Sequence, residues 1–108
     1  MKMREIKFRA WIEKGIPMYF FDLFNIPGEV QTKDSKFMQF TGLIDKNGIG
    51  IYEGDIVRAP YDDLSKSNIV TFNRACFYVG FQQLGRFHED DLEVIGNIYE
   101  DKDLLKEE

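Results

Sequence analysis

The densest group of reactive side chains is His88-Glu89-Asp90-Asp91, an imidazole followed by three carboxylates. Such a set can move protons or hold a metal ion, the chemistry of a metal-assisted hydrolase. Adjacency argues against it. Neighbours on a strand point to opposite faces, and a ligand cage draws its side chains from separate elements, so a solvated loop is expected. Asp62 and Asp63, with Asp55 nearby, offer a hard-cation site or an acid pair but lack the Asp-x-Asp-x-Asp-Gly spacing of a calcium loop. Cys76 paired with His88 would make a nucleophile and its base, yet a cysteine inside an aromatic strand is more simply a small core residue. Gly42, Gly48, Gly50 and Gly54 are separated by strands and turns, with no Lys-Ser/Thr pair leading a helix, so they do not cradle a phosphate. No catalytic residue, metal site or cofactor is expected.

Binding has better candidates. Lys7, Arg9 and Trp11 share the charged face of one alternating stretch and could stack and neutralise single-stranded nucleic acid, or receive a partner's side chain. The competing expectation is that the segment from Asp22 to Asp34 folds over Trp11. Tyr52, Tyr61 and Tyr78 could line a groove for an extended peptide, or simply pack a core. Leu104 and Leu105, in an acidic tail too short to be a stable helix by itself, must dock on their own domain, on another copy or on a host protein.

The formal charge of −5 opposes general nucleic-acid affinity. It conceals an asymmetry: Lys2, Arg4, Lys7, Arg9 and Lys14 face only Glu5 and Glu13, whereas His88 to Glu108 holds nine carboxylates against Lys102 and Lys106. The two ends should attract, within one chain or between copies. Cys76 is the only cysteine, which excludes an intrachain disulfide and fits a reducing cytoplasm. The start, MKMREIKFRAW, lacks the apolar core of a signal peptide, and no apolar run approaches the roughly 18 residues that span a bilayer. A cytoplasmic protein without a membrane anchor is expected.

These side chains are positioned by strands. Ile6, Phe8, Ala10 and Ile12 alternate with Lys7, Arg9 and Trp11, Glu13 to Pro17 turns, and Met18 to Phe21 returns. From Asp22 to Asp34 the pattern lapses, and Ile26-Pro27-Gly28 reads as a turn. Phe37 to Leu43 and Ile51-Tyr52 meet across Asp45-Lys46-Asn47-Gly48, either as a type I′ hairpin through Asn47-Gly48 or as a bulged loop with Gly48 alone left-handed. Asp55 to Arg58, Ile69 to Phe72, Cys76 to Phe81 and Leu92 to Ile95 supply further strands, Gly96-Asn97 marks a bulge or bend, and Asp101 caps a short helical turn. The ten Phe and five Tyr suit half-buried strands. The expected fold is all-β, a small antiparallel barrel or sandwich in a single domain over residues 1–108. Within it lie an N-terminal hairpin lobe over 1–53, an SH3-like portion over 54–100 and an acidic tail over 101–108.

Four motifs carry a family likeness: Phe8-Arg9-Ala10-Trp11, Met38-Gln39-Phe40-Thr41-Gly42-Leu43, Ile51-Tyr52-Glu53-Gly54-Asp55-Ile56-Val57, and Glu93-Val94-Ile95-Gly96-Asn97-Ile98-Tyr99-Glu100. In these the chain resembles the YopX family of phage and prophage proteins. The resemblance implies an all-β fold with an SH3-like portion, acting inside a bacterium, and it implies no activity and no catalytic or binding residue. The chain departs from the family pattern at Ile49-Gly50, where charged residues are more usual, so that Ile49 would meet a neighbour rather than water. The functional expectation is a non-enzymatic phage accessory protein that binds a phage or host protein, self-association included, with Lys7, Arg9, Trp11, Leu104 and Leu105 as its interaction surface. Single-stranded nucleic-acid binding is the alternative, and a metal-assisted hydrolase comes behind it.

Overall fold

In a computed structural model the described residues are 6–22, 24–58, 68–73, 75–79, 82–84 and 92–103. The alternating stretch forms β1 (Lys7–Trp11), and the turn after it places Gly15 at φ +93°, a left-handed conformation open to glycine. The chain returns antiparallel as β2 (Tyr19–Asp22). A 3-10 turn (Gly28–Val30) follows Pro27, whose fixed φ starts it. It drives Val30 against Ala10 and Phe21, with Phe8, Ile12 and Tyr19 around them, to make the first core. The sequence reads this stretch only as a turn, because three residues are too few to show a period.

On the other side of β1 lies β3 (Lys36–Ile44), which pairs in turn with β4 (Gly50–Tyr52). Of the two turn readings, the bulged loop is the one formed: Gly48 has φ +81° and Asn47 is not left-handed. The Asp45 amide donates to the Ile49 carbonyl at 2.8 Å and the Gly48 amide to the Asp45 carbonyl at 3.0 Å. The first sheet has the order β2-β1-β3-β4.

The second sheet comprises β5 (Asp55–Arg58), β6 (Asn68–Asn73), β7 (Cys76–Val79), β8 (Gln82–Gln83) and β9 (Glu93–Asn97), in the order β8-β7-β6-β5-β9. All its pairs are antiparallel. Across from β5, the register moves from Ile56↔Gly96 to Val57↔Val94, so Ile95 is the extra residue of a bulge beside Gly96, where the sequence places one. Val57, Val70, Val79, Leu84 and Leu92 build the second core together with Ile51, which is lent by β4 of the other sheet. Each of these buried side chains stabilises the fold by roughly 1.5–3 kcal/mol. The fold is therefore all-β, as two antiparallel sheets and not a closed barrel. The residues of the expected C-terminal turn, Leu104 to Lys106, lie outside the described ones.

Antiparallel partners share a face, so Lys7, Arg9 and Trp11 lie on the same side of the first sheet as Phe20 and Met38. That side meets the start of the second sheet. Gly54 makes the approach possible: its φ is +87°, and a Cβ there would come within 3.0 Å of Met38 Sδ.

Candidate functional site

At the junction, Arg9 and Asp55 are both buried and form an ion pair, Nη2 to Oδ1, of 2.7 Å. Arg9 Nη2 also donates to the Glu53 carbonyl at 3.3 Å, Nε to Met38 Sδ at 3.4 Å, and the guanidinium lies 4.9 Å from the Tyr52 ring centroid. The Tyr52 amide donates to Asp55 Oδ2 at 2.7 Å. Burial pushes the Asp55 carboxyl above its ordinary range, and this outweighs the opposing pull of Arg9 and of the Tyr52 amide. The pair joins the sheets and spends the charge of Arg9 internally.

The pair lines a groove of about 420 Å³, together with Lys7 and Phe20, the buried Phe40 and Tyr52, and Ile44, Ile49 and Val94. Tyr52 forms its floor, tilted against Phe40 at 5.2 Å and edge-on to Phe20 at 5.5 Å. Its rim is apolar and open to water: Phe20 is 61% exposed, Ile49 50% and Ile44 38%. The Lys7 ammonium stands 5.7 Å from the Phe40 ring centroid. Concave, aromatic-floored surface of this kind suits a side chain or short segment of another molecule.

The hairpin tip is held in place by a carboxylate that the sequence did not single out. Asp45 is buried, and its Oδ1 accepts the amides of Asn47 and Ile49 at 2.8 and 2.9 Å, while Oδ2 accepts the amide of Val94 at 2.9 Å. Asp in the position before Lys-Asn-Gly is the signal available, since it commonly caps its own turn. Among the described residues no buried side-chain nitrogen or oxygen lacks a partner.

The residues expected to form one interaction surface divide. Lys7 is exposed at the groove rim, whereas Arg9 is buried beneath it. Trp11 stacks on Tyr99 at 5.1 Å and 14°, so its cover comes from the far end of the chain, where the sequence suggested the segment from Asp22 to Asp34. A second cavity of about 510 Å³ beside this stack is lined also by Lys14, Glu100, Lys102 and Asp103. Lys14 from the basic stretch and Glu100 and Asp103 from the acidic one thus line one cavity within one chain. Arg9 is neutralised by Asp55 and one face of the Trp11 indole is occupied by Tyr99, so two of the three residues of the nucleic-acid reading are committed within the chain.

Asp55, considered above with Asp62 and Asp63, is committed to Arg9. Asp62, Asp63, Tyr61, His88 to Asp91, Leu104 and Leu105 lie outside the described residues. Cys76 is half-buried at the start of β7, and among the described residues no group of three or more His, Cys, Asp or Glu is placed to hold a metal. Tyr78 lies on β7, in the second sheet, away from the groove that Tyr52 floors. Among the described residues, no helix is long and apolar enough to cross a membrane.

No curated protein matches the chain. Among solved structures it is similar to protein EF1440 from Enterococcus faecalis, at 26% sequence identity and a TM-score of 0.60, over 93% of this chain and 97% of that one. The YopX protein family model matches residues 25–106, which include β3 to β9 and hence the groove's floor and hairpin side, while Lys7, Arg9, Trp11 and Phe20 precede the matched span. On that match over most of its length, the chain belongs to the YopX family.

Proposed function

We propose that the protein is a non-enzymatic phage or prophage accessory module, acting in the bacterial cytoplasm by binding another protein through the groove between its sheets. The observation that supports this most is the ring of exposed Phe20, Ile44 and Ile49 around a floor of Phe40 and Tyr52. Contiguous exposed apolar surface is characteristic of interaction sites. The ionisable groups under the groove, Arg9 and Asp55, neutralise each other, which leaves it suited to contact more than to proton transfer. The single unpaired cysteine agrees with a reducing compartment.

The test is affinity capture from host lysate by the wild-type chain and by Ile49→Asp, whose substitution lies on an exposed loop and leaves the cores intact. Wild type is expected to retain a protein in stoichiometric amount, or a second copy of itself by light scattering, and the variant to lose it. Equal retention by both, or none by either, would overturn the reading.

A further inference from the structure

We infer that two copies of the chain pair antiparallel along the free edge of β2 and join their first sheets into one; the inference does not rest on the groove reading. β2 ends the order β2-β1-β3-β4, so one side of its backbone has no strand beside it among the described residues. Such an edge is a template for another strand, and proteins guard it with lysine, proline, a bulge or a covering group. The edges at β4 and β9 are guarded. The Tyr52 amide goes to Asp55 Oδ2, and on the bulged β9 the Val94 and Asn97 amides go to Asp45 Oδ2 and Asp101 Oδ2. β2 carries none of these devices: its register with β1 is unbroken, and Tyr-Phe-Phe-Asp contains neither lysine nor proline.

A second copy suits this edge on two counts. The first is its apolar fringe, since Phe20 is 61% exposed and Phe24 90%. Phe24 is held out by a local turn, in which Asp22 Oδ1 accepts the Phe24 amide at 2.9 Å and Asn25 Nδ2 at 3.2 Å. Antiparallel order carries Phe24, just past the end of one β2, toward the half-buried Ile16 and Met18 that precede the other. The two-fold makes this contact twice, whereas a strand from an unrelated protein gains the ladder without it. The second count is charge. Asp22 is the one charged residue of β2, and antiparallel pairing sets the two carboxylates at opposite ends of the ladder, where parallel pairing would set them side by side. A four-residue ladder falls short of the roughly 800 Å² per partner of stable complexes, so the dimer is weak and forms at high concentration.

The experiment is sedimentation velocity on the full chain over a rising concentration series, at low and high salt. A dimer is expected that grows with concentration and tightens with salt, because each copy carries −5 and screening weakens their repulsion. Phe24→Asp, a change on a side chain almost wholly in water, should weaken dimerisation about tenfold or more. Hydrogen exchange should slow at the β2 amides that point away from β1, at the concentrations where the dimer forms. Ile49→Asp should leave the dimer unchanged, which assigns the groove to a different protein for the lysate capture to judge. A monomer at every concentration overturns the inference, as does a dimer that Phe24→Asp leaves intact or whose β2 amides exchange at the monomer's rate. A dimer lost on Ile49→Asp instead puts the copies in the groove, which overturns the edge and supports the groove reading.

Discussion

Arg9 and Asp55 carry opposite charges into a place from which water is excluded, and the fold then depends on their staying together. Removing either leaves the other buried and unpaired, which costs about 3–5 kcal/mol, whereas replacing both by apolar residues of similar size costs far less. Arg9→Met and Asp55→Leu should each lower the midpoint of urea unfolding, and the double variant should recover most of the loss. Asp55 also makes stability depend on pH. Burial raises its pKa in the folded chain, so across the interval above the ordinary carboxylate value the native state binds the proton more strongly than the unfolded state. Its contribution is fully present below the unfolded pKa and is lost as pH rises through the folded one. Asp55→Asn should flatten that part of the stability curve, measured by urea titration at successive pH values. None of this was legible in the sequence: alternation puts Arg9 opposite Ala10, but it does not say whether water or a second sheet lies over that face.

At the level of elements, the reading from sequence was close. The period-2 stretches around Phe8, Phe40, Val57, Val70 and Val94 became strands because each has one face to bury, and antiparallel neighbours follow from the short turns between them. The Gly48 loop and the bulge at Ile95 were visible in their glycines. The second needs its glycine for a reason only the packing shows. A Cβ on Gly96 would lie 2.7 Å from the Asp101 side chain, whose Oδ2 accepts the Asn97 amide at 3.0 Å. Asn97 in turn accepts the amides of Tyr99 and Glu100 through Oδ1 at 3.0 and 2.9 Å, so one overlap disturbs the whole turn. Gly96→Ala should destabilise by about 1–3 kcal/mol, read as a lower thermal midpoint. The same substitution made with Asp101→Ala should cost less than the sum of the two, because the collision is gone.

Across the whole molecule, the two sheets share more than a boundary. Ile51 from the first sheet sits in the second core, the hairpin tip reaches β9 through Asp45 and Val94, and the Gly54 amide donates to the Val70 carbonyl at 2.8 Å. From the charge imbalance along the sequence the two ends are expected to attract; the contact between β1 and the turn after β9 is the aromatic stack of Trp11 on Tyr99. Tyr99→Ala should cost about 1–2 kcal/mol while preserving the β-sheet signal in far-ultraviolet circular dichroism. The stack has a practical consequence. Trp11 is the chain's sole indole, and it lies where the first strand meets the turn after the last, so its emission is a built-in optical gauge of closure. Any event that parts Trp11 from Tyr99, whether heat, urea or a docking protein, should register as a red shift at one wavelength without a dye being attached.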